Sequence, residues 1–256
     1  MYWLQAKEKL FTDHRQCVLD NLDNVKHRIF IDRDSDILFV AHLDTVLPAK
    51  LVKSRKTKSG KTKRIYAHGL DDRLGCCIAA VLSKSLGVDL LLTDHEESCG
   101  STAQYHELKD YNWIAEFDRE GQDVVTYDID NTEFRTALSE LWKIGIGSYS
   151  DICSLQTSAC CVNIGMGHQF SHSKDSYVCV KTLRKQISRF LTFYEAHKNT
   201  EFKQDYREYN THTANSSLCD VCGFEQGEVI YGYCLCYHCF LEMFDGVLAR
   251  ETVSEF

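Results

Sequence analysis

Residues 74–97, LGCCIAAVLSKSLGVDLLLTDHEE, decide the reading of the fold. Leu74 to Leu86 has the length and composition of a helix, and Gly87 is placed to end it. Val88 to Thr93 then runs as a continuous apolar segment, the pattern of a strand buried on both faces. Directly beyond that strand stand Glu96 and Glu97, two adjacent carboxylates. A helix feeding a buried strand that ends in polar residues is the unit of an α/β sheet, whose sites gather at strand carboxyl ends.

The same alternation continues outward. Upstream, Lys26 to Asp32 and Ile37 to Ala41 read as an antiparallel hairpin turned at Asp34-Ser35. Downstream, Ser101 to Leu108 reads as a helix, and Trp113 to Phe117 and Asp123 to Tyr127 as strands. Thr132 to Lys143 is an amphipathic helix with Asn131 as N-cap. Ala159 to Ile164 is another buried strand, and Val180 to His197 a long final helix. The expected fold class is α/β: a mixed, largely parallel sheet flanked by helices, plus a small C-terminal zinc ribbon. A chain of 256 residues has room for one main domain and an appendage. The expected division is a catalytic domain over 1–200 and a linker with a ribbon-like module over 201–256.

Hydrophobic content of 44% and charge of 26% are those of an ordinary soluble globular protein. No apolar run approaches the roughly 20 residues needed to cross a bilayer, so no membrane association is expected. Met1 to Gln16 mixes acids and bases without the apolar core of a signal peptide. Thirteen cysteines without an export signal suit a reducing compartment, and the expected location is the cytoplasm. The net charge of −8 is uneven: from Glu201 onward 10 acids face 3 bases, leaving 27 acids against 26 bases before it. Lys50 to Arg64 concentrates eight Lys or Arg in 15 residues around Ser59-Gly60 and reads as a hairpin with an exposed tip. Such an island is either a solvated loop or a means of steering an acidic substrate or partner.

Five polar signatures punctuate the chain: Ala41-His42-Leu43-Asp44, Gly69-Leu70-Asp71-Asp72, Asp94-His95-Glu96-Glu97, Glu116-Phe117-Asp118 and Ser171-His172-Ser173. Most follow a run of β-forming residues, and imidazoles and carboxylates delivered from several strand ends are what a two-metal hydrolytic site requires. In His42-x-Asp44 the Asp is placed to accept the other ring N–H of a metal-binding His. Asp71 opens a helix, where it either bridges two cations or caps the helix. Glu96 and Glu97 can divide metal binding and general-base duty between them.

Taken together, the order His42-Leu43-Asp44, Leu70-Asp71-Asp72-Arg73-Leu74-Gly75, Glu96-Glu97, Asp118-Arg119 and His172-Ser173 resembles the di-zinc exopeptidase superfamily over residues 31–180. The Leu-Asp-Asp-Arg-x-Gly stretch is most like the tetrahedral aminopeptidase branch, where Ser150-Asp151 also has a counterpart. The resemblance implies Asp71 bridging two metals, one completed by His42 and Asp118, the other by Glu97 and His172. It further implies Glu96 as general base on a metal-bridging water and Asp44 as the residue orienting His42. Two zinc ions are the expected cofactors, with cobalt or manganese also compatible with the ligand types. His95 and His168 are spare imidazoles near the set. The implied activity is hydrolysis of a peptide or acyl-amino-acid amide; a non-peptide amide deacylase and a catalytically idle zinc-ribbon interaction protein are the alternatives. Many relatives insert a second domain, whereas only 26 residues separate Asp44 from Asp71. Residues that would choose the substrate are therefore not readable.

The tail carries Cys219-x-x-Cys222 and Cys236-x-x-Cys239 with 13 residues between the knuckles, spacing that fits one structural zinc held by four thiolates. Cys234 and His238 are possible substitutes in the second knuckle. Ribbons often bind nucleic acid, but a balance of −7 beyond residue 200 argues against phosphate contact and leaves a protein partner or plain stabilisation. The remaining cysteines, such as Cys76 and Cys161, sit in apolar runs and read as buried small hydrophobes.

Overall fold

Every residue of the strand Ile37–His42 is buried, and that strand lies inside a six-stranded sheet. The computed structural model describes residues 28–56, 63–205, 228–230 and 233–235. The chain separates into two compact units, Met1–Asp205 and Tyr206–Phe256. The first contains β1 (Ile29–Ile31), β2 (Ile37–His42), β3 (Lys50–Lys56), β4 (Lys63–His68), helix α1 (Leu70–Leu86) and β5 (Asp89–Thr93). It continues with β6 (Trp113–Glu116), β7 (Val124–Val125), α2 (Thr132–Ser139), β8 (Cys160–Ile164), β9 (His168–Gln169), β10 (Tyr177–Cys179) and α3 (Val180–His197). In the second unit β11 (Glu228–Ile230) and β12 (Tyr233–Leu235) pair antiparallel, with Val229 opposite Cys234. Cys219, Cys222, Cys236 and Cys239 lie outside the described residues.

The main sheet has the order β1-β5-β2-β6-β8-β7. Its four inner strands run parallel and its two edges antiparallel, which is the mixed, largely parallel α/β sheet expected. Strand alternation divides the apolar residues between two faces. Phe39, Leu90, Trp113 and Val162 pack with residues of all three described helices, among them Ile78, Phe134 and Phe190. The opposite face, with Leu38, Leu91, Ile114 and Cys161, is covered by residues of two short 3-10 turns, Ala103 and Ile152, and by Tyr111 and Leu155. The helices are thus concentrated on one face. On that face Trp113 meets Phe193 edge-on with ring centres 5.3 Å apart, and Phe117 meets Phe190 at 4.9 Å.

Several local expectations fail: the helix expected to run to Lys143 stops at Ser139, and the strand expected over Asp123 to Tyr127 is only Val124–Val125. β1 and β2 do not form a hairpin; β5 lies between them, antiparallel to β1 and parallel to β2. A strand as apolar as β5 is stabilised by neighbours on both sides, and Asp89 at its start accepts the amides of Arg33 and Ser35, so the β1–β2 connection wraps over its end. Ser101 to Leu108 forms only a 3-10 turn at Thr102–Tyr105, entered by a bond from the Ala103 amide to the Ser101 hydroxyl. By contrast, Gly87 ends α1 in the left-handed conformation, and the Asn131 side chain caps α2 by accepting the Phe134 amide. No described helix is long and apolar enough to cross a membrane.

A second sheet, β3-β4-β10-β9, contains the basic island as an antiparallel β3–β4 pair; the tip, residues 57–62, lies outside the described residues. The order of the inner parallel strands matters for the site. From β2 the chain goes to β5 on one side and then crosses to β6 on the other. That reversal opens a crevice at the carboxyl end of β2.

Candidate metal centre

His42 is the last residue of β2 and is fully buried. Its Nδ1 lies 3.0 Å from the Asp44 carbonyl oxygen and 3.3 Å from the Asp44 carboxylate. The same carboxylate accepts the amides of Glu96 (3.3 Å) and Glu97 (3.1 Å), so the loop after β2 pins the 3-10 turn Glu96–Ser98 that follows β5. His95 enters that turn, and His172 sits in the β9–β10 loop; both are left-handed, with φ of 65° and 58°. For non-glycine residues that conformation costs about 1–2 kcal/mol.

Asp71 owes its freedom to its neighbour. Neither Asp71 nor Asp72 has helical dihedrals, although they fall at the start of α1. The Gly75 amide donates to Asp72 Oδ1 at 2.8 Å, the bond of an N-cap. Asp72 therefore caps the regular helix and Asp71 is released toward the crevice. Gly75 leaves room for this bond, because a Cβ there would lie 2.2 Å from Asp72 Oδ1 and would displace that side chain.

Two groups of potential ligands result: His42, Asp71 and Asp118, and Asp71, Glu97 and His172. Asp71 belongs to both, with Oδ1 3.3 Å from His42 Nε2 and Oδ2 3.1 Å from His172 Nε2. Asp118 Oδ1 is 3.4 Å from His42 Nε2, and Glu97 Oε2 is 2.8 Å from His172 Nε2. Glu96 Oε2 stands beside them, 3.8 Å from His42 Nε2. The seven residues named from the sequence for this centre thus converge on one crevice, five in the two groups and Glu96 and Asp44 against them.

The donor set fits a pair of cations. His42 Nε2 and Glu97 Oε1 are buried without a hydrogen bond of good geometry. Spacings of 3.3 and 3.4 Å around His42 Nε2 are long for hydrogen bonds. They match the separation, about 3.4 Å, of two donors bound tetrahedrally at about 2.1 Å from one ion. The electrostatics of the cluster agree. Burial opposes protonation of His42, yet the neighbouring carboxylates of Asp118, Asp44 and Asp71 prevail and raise its pKa well above the usual value. His172 is pushed up to about 9, chiefly by its bond with Asp71. Burial would raise Asp71, but His172 and His42 hold it below the carboxylate range. Glu96 is pushed up to about 8 by burial first and then by Asp118, Asp151 and Asp71, with His42 opposing. A cluster that draws protons onto both imidazoles and one carboxylate has surplus negative charge.

Beneath the crevice lies a polar layer that the sequence signatures left unassigned. Asn163 of β8 donates to Asp118 Oδ2 (3.1 Å) and the Ser150 hydroxyl (2.8 Å), while its Oδ1 accepts the amides of Asp118 and Arg119. The Ser150 hydroxyl bonds the buried Glu116, and Asp151 accepts the hydroxyls of Thr93 and Ser101. Burial, reinforced by Asp151 and Asp118, raises Glu116 well above the carboxylate range. The one sequence signal for Asn163 was a polar residue inside an apolar strand. His168 is buried with Nε2 2.9 Å from the Ser171 hydroxyl, and His95 belongs to neither group of ligands.

No family model and no curated protein matches the chain. Among solved structures, the chain is similar to aminopeptidase PepT from Bacillus cereus ATCC 10987, at 12% identity and TM-score 0.46 over 66% of this chain and 83% of that one. A tripeptidase from Staphylococcus aureus subsp. aureus Mu50 aligns at 13% identity and TM-score 0.44 over 66% and 83%. A PhTET1-12s dodecamer chain aligns at 14% identity and TM-score 0.44 over 72% and 92%. Likenesses this loose leave the chemistry to be argued from the crevice itself.

Proposed function

We propose that the chain is a metal-dependent hydrolase that cleaves a peptide or amide bond of a small substrate, aminopeptidase-like in its chemistry. The observation that carries this reading is Asp71, whose two oxygens face separate sets of ligands, His42 with Asp118 and Glu97 with His172. The ordered resemblance of the motifs to di-zinc exopeptidases supports the same assignment. Two divalent cations held there would polarise the scissile carbonyl and acidify the attacking water. Mixed imidazole and carboxylate donors favour zinc, with cobalt and manganese accepted.

Glu96 is the proton carrier. Its Oε2 lies 3.8 Å from His42 Nε2, and without bound cations burial and neighbouring carboxylates lift its pKa to about 8, so the carboxyl is placed where a proton is readily held. It would take the proton of the attacking water and return it to the leaving amine. Asp44 acts by position: it fixes the His42 ring from the Nδ1 side and holds the Glu96–Glu97 turn through two amides. In the second unit, Cys219, Cys222, Cys236 and Cys239 are assigned to one structural zinc, with a protein partner as that module's role.

The test is a panel of aminoacyl and N-acyl amide substrates with zinc- or cobalt-loaded protein. Glu96→Ala should lower kcat by about 10²- to 10⁴-fold while metal content is unchanged. Full activity in that variant, or zinc uptake by the crevice that survives Asp71→Ala, would refute the assignment.

A further inference from the structure

The outward face of the second sheet carries a row of fixed cations. In β3, β4, β9 and β10 the sequences KLVKSRK, KRIYAH, HQ and YVC contain six Lys or Arg and no acid. Val178 and Ala67 point inward to the core that includes α3. The register therefore sends Tyr177, its partner Tyr66 and the Tyr66 partner Lys53 to the other side, with Arg64 and its partner Arg55 beside them. Lys53, Arg55 and Arg64 are exposed, and among the described residues none of them pairs with a carboxylate.

Aromatic rings seat two of these cations, Lys53 and Arg64. Lys53 Nζ lies 4.9 Å above the Tyr66 ring centre and the Arg64 guanidinium 4.6 Å above that of Tyr177. The two rings are themselves 5.4 Å apart. Base stacking needs open ring faces, and each ring has one face covered by the protein's own cation. What the sheet offers is ordered positive charge, suited to carboxylates.

Two strands of this sheet lead along the chain into the candidate metal centre. β4 ends at His68, and Gly69 and Leu70 lead directly to Asp71. β9 leads through Phe170, whose ring is 5.9 Å from Tyr177, to His172. Phe170 is 58% exposed and the His172 side chain 51%, so the connecting loop is open to solvent.

We propose that this face docks an acidic peptide, placing its Asp or Glu carboxylates on Lys53, Arg55 and Arg64 and giving the adjacent centre a preference for acidic substrates. The preference rests on the amide-hydrolase reading; the docking does not. Fluorescence anisotropy with labelled octaglutamate, octalysine and a single-stranded oligodeoxynucleotide of eight residues tests it on the full chain carrying Glu96→Gln, so that bound peptide persists. Octaglutamate should bind, more weakly as salt rises, and the added pair Lys53→Gln and Arg64→Gln should weaken it by about tenfold. No octaglutamate binding, an affinity unchanged by the pair, or tighter binding of the oligonucleotide would overturn the proposal, the first leaving β3 a lysine-protected sheet edge only. If Glu96→Gln proves as active as the unaltered chain on the amide panel, the catalytic reading fails while the binding result stands.

Discussion

Asn163 sets the position of Asp118 from below, and it does so with both ends of one amide. Its Oδ1 takes two backbone amides at the end of β6 and its Nδ2 reaches the Asp118 carboxylate. Asn163→Ala should weaken zinc binding by about 10- to 100-fold, read by titration against a competing chelator. It should also lower stability by about 1–3 kcal/mol, because the amides it leaves lose their acceptor. Gly75 makes a complementary case. Glycine inside a helix costs about 1 kcal/mol relative to alanine, yet Gly75→Ala should destabilise the chain by about 1–2 kcal/mol by displacing the Asp72 cap. In urea titrations the double variant with Asp72→Ala should fall short of the sum of the two single effects. Sequence could nominate Asp71 as a ligand or as a cap, because both roles belong to an acid opening a helix. Only the backbone geometry gives the cap to Asp72, and only the packing of Ser150 and Asp118 around Asn163 explains a polar side chain in β8.

At the level of elements, patterns that depend on burial were readable and patterns that depend on pairing were not. The apolar runs of β5 and β8, the Gly87 stop of α1 and the bounds of α3 follow from local chemistry. Insertion of β5 between β1 and β2 does not, since a short turn between two strands looks the same whether they pair or diverge. Asp89 is the residue that enforces divergence. It is buried, accepts the Arg33 and Ser35 amides and the Tyr111 hydroxyl, and pairs with Lys109 at 3.0 Å. Burial alone would raise its pKa, but these partners prevail and lower it. A carboxylate with a depressed folded pKa contributes stability that is complete above its unfolded value, about 3.9, and is lost as pH falls through the lower folded value. Asp89→Asn should therefore be less stable than the unaltered chain by a constant margin from pH 7 to about 5, and the margin should shrink below about pH 4. Urea midpoints across that range measure it; a margin that grows toward low pH would contradict the assignment.

Across the whole molecule, residues far apart in sequence serve one crevice because parallel strands end on the same side. His42, Glu97 and Asp118 come from three adjacent strands, β2, β5 and β6, which is why short signatures in series were legible as a single centre. The second-sheet face was legible only as a charge run, since neither its register nor the seating of Lys53 and Arg64 on tyrosines has a sequence signal. Two kinds of metal site are proposed, and their ligands differ enough to be separated. The crevice offers carboxylates and imidazoles, whereas the tail sequence offers thiolates. A chain carrying Cys219→Ser and Cys222→Ser should retain two zinc ions by mass spectrometry under native conditions, and Asp71→Asn should lose those two while keeping the third. Because a ligand that binds only the folded state at a thousandfold its Kd adds about 4 kcal/mol, chelation should also lower the melting temperature of the cysteine variant. Asp71→Asn should melt at the same temperature with or without chelator once the two serines are added. A centre that keeps one ion after Asp71→Asn would show that the two ligand groups bind independently, and the shared-carboxylate arrangement would then be wrong.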